Sequence, residues 1–164
     1  MYNRLITRRH AIRGALAGFG LAALPRIVRA AERHPLLDKF ITVDTHTHPG
    51  ALYRGSEAYT YQALRDIKDS QLTATVFSIV ADGPVIGRRG RIERDPGDGE
   101  LYDHTMGQLR EARRLIEEAG LPIITSPEEL KAAKAKGTAG VILAIEGGDF
   151  AERRPEAIKE AYDL

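Results

Sequence analysis

The chain has 164 residues, of which 43% are hydrophobic and 29% are charged, a balance typical of globular proteins and not of disordered or fibrous ones. Its formal net charge of +1 provides no electrostatic footprint for nucleic acid or for an acidic membrane surface. There is no cysteine, which excludes disulfides and thiolate metal sites, so any metal ion must be bound by His, Asp or Glu.

Residues 1–30 have the three-part layout of a signal peptide. Basic residues come first, an uncharged run rich in Ala, Leu and Gly occupies residues 14–25, and Val28 and Ala30 stand where a cleavage site requires small residues. The uncharged run has about twelve residues, whereas a bilayer-spanning helix needs about 20. We therefore predict a leader peptide and no stable membrane span.

Residues 7–13, "TRRHAIR", resemble the twin-arginine export motif. This resemblance predicts the twin-arginine export machinery as a partner and a periplasmic or otherwise exported location. The alternative is an amphipathic helix that packs on the domain. The sequence disfavours it, because Arg8, Arg9 and Arg13 precede the apolar run and do not alternate with it.

Strand-like and helix-like segments alternate through residues 31–164. The predicted strands are 41–45, 72–81, 121–125 and 139–148, and the predicted helices are 60–70, 101–119, 126–137 and the segment from 155 onward. Near-continuous apolar strands that alternate with helices predict a parallel sheet covered by helices. Both a (β/α)8 barrel and an open doubly wound sheet have this pattern.

One observation favours the barrel over the open sheet, and a second indicates that the barrel is incomplete. No G-x-G-x-x-G motif follows the first strand, which disfavours the nucleotide-binding version of the open sheet. About four strands are predicted, whereas a closed barrel has eight, and the chain ends inside a helix pattern at residues 156–164. We therefore predict an α/β fold that is the N-terminal portion of a (β/α)8 TIM barrel and belongs to a longer protein.

Polar side chains follow two of the predicted strands. Active sites of parallel α/β folds gather at the carboxyl ends of strands, where the first strand delivers Asp44, His46 and His48. His46 and His48 share a face because strand side chains alternate, so both imidazoles can reach one cation. A later strand ends in Glu146, its only charge, which needs a partner if it is buried. We predict His46, His48 and Glu146 as metal ligands. Asp44 and Asp149 are predicted to contact and orient these ligands without binding the metal themselves.

Alternatives remain for each of these residues. An isolated His-x-His is common in ordinary turns, and a strand-ending Glu before two glycines can cap a helix or pair with an arginine. Asp149 can equally be the N-cap of the segment that follows it.

The motifs resemble those of a known superfamily. "VDTHTHPG", residues 43–50, is similar to the first-strand metal motif of the amidohydrolase superfamily, and "GVILAIEGGDF", residues 140–150, resembles the membrane dipeptidase (renal dipeptidase-like) family. The resemblance implies that His46 is the first-strand ligand and that Glu146 bridges two zinc ions. His48 stands where typical members have Asp. Two further His ligands and a catalytic Asp come from later strands in that family, so the resemblance implies an incomplete site in this chain.

The resemblance implies a periplasmic, zinc-dependent, dipeptidase-like hydrolase with a metal-activated water as nucleophile. Residues 31–164 are then the N-terminal part of a metal-dependent hydrolase barrel. The implied substrate is a dipeptide or a related small amide, and a homodimer is one possible assembly. A TatD-like deoxyribonuclease is the rival enzyme, since it also opens with D-x-H-x-H. The predicted export signal and the lack of a basic surface disfavour it. A third interpretation is a catalytically inactive remnant or binding domain, because part of a barrel exposes apolar sheet edges.

Overall fold

The computed structural model describes residues 34–49, 57–87 and 90–164, and the side chains of all of these except 57–59. The predicted signal peptide, residues 1–30, lies outside the described residues. Across the described ranges no helix is both long enough and apolar enough to cross a membrane.

Three strands and five α-helices make up the described part of the chain. In chain order they are α1 (Pro35–Lys39), β1 (Val43–Thr47), α2 (Glu57–Asp69), β2 (Ala74–Val80), α3 (Glu100–Glu118), α4 (Pro127–Lys136), β3 (Gly140–Glu146), a short 3-10 helix (Asp149–Ala151) and α5 (Glu156–Tyr162). The predicted alternation of strand and helix is confirmed, with boundaries that differ by a few residues.

The strands form one parallel sheet in the order β1-β2-β3. β2 and β3 pair without interruption over seven residues, from Ala74 with Gly140 to Val80 with Glu146. β1 pairs with β2 through Asp44 with Thr75 and then Thr47 with Phe77, so the register shifts between the two pairs. Chain order and sheet order coincide, and the carboxyl ends of all three strands therefore meet at one edge.

The barrel prediction is wrong. The described residues form a small α/β fold with a three-stranded open sheet, whereas a barrel must close by pairing its first and last strands. The segment predicted as a strand at 121–125 contributes one parallel bridge, Ile123 with Val141. Its contacts are the Val141 N–H donating to the Pro122 carbonyl at 2.9 Å and the Ile124 N–H donating to the Val141 carbonyl at 2.7 Å. Proline has no N–H for a ladder, and the pairing goes no further among the residues described.

The helix ends follow rules that local sequence encodes. Ser126 caps α4 in a capping box, accepting the Glu129 N–H, while the Glu129 carboxylate accepts the Ser126 N–H. α4 ends at Gly137, which has a positive φ of 65°. α3 ends just before Gly120, whose φ of 66° turns the chain toward residues 121–125.

The main core lies between one face of the sheet and helices α2 and α3. Phe77 and Ile79 are two residues apart on β2, so both side chains point into this core. Leu115 and Ile116 of α3 are fully buried in the same core. The other members are Leu64, Ile67, Met106, Leu109, Ala112, Leu121, Ala139 and Val141. Because α2 and α3 pack on the Phe77 face, Ser78, between Phe77 and Ile79, points to the opposite face.

Candidate metal centre

The register shift in β1 positions the two histidines. Between its pairs with Thr75 and Phe77, β1 contains one residue more than β2, which breaks the strict alternation of side chains. Asp44 lies at this shift, where its Oδ1 accepts the backbone N–H of His46 at 3.2 Å. The Asp44 carboxylate thus holds the backbone of the strand end, and within the described ranges it makes no hydrogen bond with either imidazole.

After the shift, His46 and His48 point the same way at the carboxyl end of β1. Their rings meet edge to face, with centroids 4.6 Å apart and planes at 88°. The two Nε2 atoms are 2.9 Å apart. This geometry turns the same ring nitrogen of each histidine toward a common point.

Glu146 is the last residue of β3 and reaches that point from the other side of β2. The ladder holds its backbone, with Val80 as register partner and the Ala81 N–H donating to the Glu146 carbonyl at 3.0 Å. Gly147 follows with a φ of 94°, a conformation that side chains other than glycine rarely adopt. The chain therefore turns away directly after Glu146.

One carboxylate oxygen meets both histidines. Glu146 Oε2 lies 3.3 Å from His46 Nε2 and 3.1 Å from His48 Nε2. The three atoms form a triangle with sides of 2.9, 3.1 and 3.3 Å. Sequence spacing suggested that these residues share an edge of the sheet, and the structure brings them together.

The triangle has dimensions suited to a small cation. From these sides each corner lies about 1.8 Å from the triangle's centre, so a point about 1 Å above the plane is about 2.1 Å from all three atoms, the usual length of zinc bonds to His nitrogen and carboxylate oxygen. Two imidazoles and a carboxylate are also a donor set that zinc accepts. Within the described residues these three form the one group of His, Asp and Glu side chains with this convergence.

The hydrogen bond between His48 and the Ser78 carbonyl of β2 favours a positive charge where His46, His48 and Glu146 converge. His48 Nδ1 lies 2.9 Å from the Ser78 carbonyl oxygen, and because a carbonyl only accepts, Nδ1 carries the proton. Neutral His48 then turns the lone pair of Nε2 toward Glu146 Oε2, which is also an acceptor. Two such atoms 3.1 Å apart repel each other unless a proton or a metal cation lies between them.

The centre is accessible to solvent. The side chains of His46 and Glu146 are each 53% exposed and that of His48 is 27% exposed. This exposure would leave a cation bound here with an open coordination position.

Asp149 lies outside the converging group. It begins the 3-10 helix that follows β3, is exposed, and lines a cleft of about 820 Å³ together with Asp82 and Glu152. Glu152 accepts the Gly99 N–H at 3.0 Å and thereby connects this segment to the start of α3. Among the described residues the structure shows no contact between Asp149 and the three converging side chains, and its supporting role stays a prediction.

His104, on α3, lies near the same edge of the sheet but outside the group. Burial lowers the pKa of its imidazole, while a hydrogen bond with the Val80 backbone acts in the opposite direction.

Ser78 is the contact residue that sequence analysis missed: it is buried, its hydroxyl lies 3.3 Å from His46 Nδ1, and its carbonyl oxygen accepts from His48 Nδ1. Ser78 is one of two polar residues in the otherwise apolar strand "ATVFSIV", the other being Thr75, and the sequence gives no further sign of its role.

Comparisons with known proteins found no relative. A scan against protein-family models, a search of curated proteins and a search of solved structures each gave no match. The chemistry of the centre is therefore inferred from its own geometry.

Proposed function

We propose that the chain provides a zinc-binding centre of a metal-dependent hydrolase that acts on dipeptides or related small amides. The observation that carries the proposal is the convergence of His46 Nε2, His48 Nε2 and Glu146 Oε2 within 3.3 Å of one another at the carboxyl edge of a parallel sheet. This is the edge at which α/β enzymes place their active sites.

A bound divalent cation supplies two kinds of chemistry here, because it lowers the pKa of a coordinated water and polarises an amide carbonyl. His46 and His48 hold the cation through neutral nitrogens, and Glu146 contributes the negative charge. Their half-exposed side chains leave one side open to the substrate. The proposal includes a second zinc ion, which the Glu146 carboxylate would help to hold.

The proposal also places the protein outside the cytoplasm. The "TRRHAIR" motif resembles a signal for export in the folded state, which allows the metal to be bound before export. Replacing Arg8 and Arg9 with lysine and following the location of the protein by cell fractionation tests this part. Accumulation in the cytoplasm supports it, and unchanged export contradicts it.

A hydrolysis assay tests the proposed activity. The purified chain is incubated with Zn²⁺ and a panel of dipeptides, and released amino acids are quantified by chromatography. We expect zinc-dependent release that the Glu146→Gln variant loses and the Glu128→Gln variant keeps. Glu128 is a matched control because its exposed carboxylate has one loose ion pair, 3.9 Å from Lys131. No release from any dipeptide by a chain shown to bind zinc contradicts hydrolysis by this chain and favours the catalytically inactive binding domain, and zinc-dependent cleavage of DNA favours the nuclease alternative.

A further inference from the structure

We propose that Ser78 is the positioning residue of the metal centre and that it holds both histidines at once. Its carbonyl oxygen binds His48 Nδ1 at 2.9 Å, and its hydroxyl lies 3.3 Å from His46 Nδ1. Each imidazole is thereby held by one nitrogen, which directs the other nitrogen, Nε2, toward Glu146. The inference rests on the proposed metal site and adds the device that orients its ligands.

The location of Ser78 suits this role. It is 3% exposed and lies in the middle of β2, the central strand, where the uninterrupted ladder with β3 pairs it with Ala144. A partner fixed on both sides by strand pairing positions a ligand more accurately than a loop residue does. Burial of Ser78 also removes the water that would compete for its hydroxyl and carbonyl oxygens.

The two hydrogen bonds of Ser78 have different character. The carbonyl can only accept, so it fixes one tautomer of His48, with the proton on Nδ1 and the lone pair on Nε2. A hydroxyl can donate or accept. In the metal-free protein with a neutral His48, we infer that His46 donates across the 2.9 Å contact between the Nε2 atoms, so that His46 carries its proton on Nε2 and the Ser78 hydroxyl donates to its Nδ1.

Metal binding reverses the second of these bonds. For His46 Nε2 to act as a ligand, its proton must move to Nδ1, and the Ser78 hydroxyl then accepts from Nδ1. His48 needs no such change. A hydroxyl at position 78 therefore serves both states of His46, which an alanine cannot do.

Two variants at position 78 and one control test the role of the hydroxyl. Ser78→Ala removes the hydroxyl and keeps the carbonyl, while Ser78→Thr restores a hydroxyl with a side chain that strands favour. Thr75→Val removes another buried hydroxyl from the same strand, on the side that faces away from the histidines. Zinc affinity is measured by calorimetric titration, the histidine tautomers by ¹H–¹⁵N correlation spectra at neutral to basic pH, and the fold by metal-free thermal unfolding.

We expect Ser78→Ala to bind zinc about 10-fold to 100-fold more weakly, as loss of a group that orients a metal ligand typically does. Ser78→Thr and Thr75→Val should stay within about 3-fold of wild type, since neither removes the hydroxyl that contacts His46. The metal-free wild type should show His46 protonated on Nε2 and His48 on Nδ1, and Ser78→Ala should lose the preference at His46 only.

Three results would overturn the inference: unchanged zinc affinity in Ser78→Ala, equal loss in Thr75→Val, or a wild-type His48 protonated on Nε2. Absence of zinc binding by the wild type would count against the proposed function alone, because the tautomer spectra of the metal-free chain still decide the role of Ser78. If Ser78→Ala does not fold, the wild-type spectra and the zinc affinity of Ser78→Thr decide whether Ser78 orients the histidines.

Discussion

Replacing His48 with alanine should abolish the thermal stabilisation that zinc confers on the chain. A ligand that binds only the folded state stabilises it by about 2.7 kcal/mol when its concentration is 100 times its Kd. His48 supplies one corner of the three-atom group, and its Nε2 is within 3.1 Å of both other corners. Without it, two ligands remain and the tight site is lost.

The size of the folded body converts this free energy into a temperature. The compact unit spans Arg33–Leu164, about 130 residues, for which the unfolding entropy is about 0.27 kcal/mol/K. Saturating zinc should therefore raise the wild-type Tm by about 10 °C. The metal-free variant should lose about 4 °C or more, because loss of the hydrogen bond to the Ser78 carbonyl alone is equivalent to about 1 kcal/mol.

Differential scanning calorimetry with and without Zn²⁺ measures both quantities. The matched control is His34→Ala, which removes an exposed histidine at the N-cap of α1 and should keep the full zinc-dependent shift. A shift of the same size in wild type and His48→Ala would refute the reasoning. Loss of the shift in His34→Ala would show that zinc binds elsewhere.

Three further predictions concern the fold. Leu115→Ala, in the middle of the core and fully buried, should lower the free energy of unfolding by about 2–5 kcal/mol in urea titrations, whereas Leu36→Ala, at an exposed position, should change it little, and equal effects would contradict the packing described. Glu100, whose pKa Arg94 lowers from 4.5 to about 2, should stabilise the fold fully above pH 4.5 and progressively less as the pH falls toward 2. The difference in unfolding free energy between wild type and Glu100→Gln should shrink over that range, and a difference independent of pH would contradict the pairing. Thr105→Val should leave stability unchanged or raise it by up to about 1 kcal/mol, because the buried Thr105 hydroxyl has no hydrogen-bond partner within the described residues, and a loss above about 1 kcal/mol would indicate a partner.

Local sequence rules predicted most of the secondary structure. The apolar run that became β2 and the Ser126 cap of α4 both depend on residues close in sequence, and both predictions are confirmed. The strand predicted at 121–125 is reduced to a bridge because Pro122 cannot donate and the chain enters α4 at once. The number of strands and the open edge depend on pairing between distant segments, for which spacing alone gives no rule.

Convergence at the centre could be foreseen in part. Equal parity of His46 and His48 and the ending of two parallel strands indicated a shared edge, and the structure places these side chains with Glu146 there. Asp44 has the same parity, but the extra residue in β1 interrupts the alternation, and the Asp44 carboxylate accepts the backbone N–H of His46 at the end of the strand. Part of the contribution of Ser78 comes from its backbone carbonyl, which every residue has. The residue type therefore could not predict this contact.

The central claim is that His46, His48 and Glu146 bind one cation between them. Anomalous diffraction at the zinc absorption edge, from crystals grown with Zn²⁺, tests it most directly. We predict a peak about 2.1 Å from His46 Nε2, His48 Nε2 and one carboxylate oxygen of Glu146. No peak at this position from zinc-saturated crystals, or a zinc ion bound through other residues, would contradict the account.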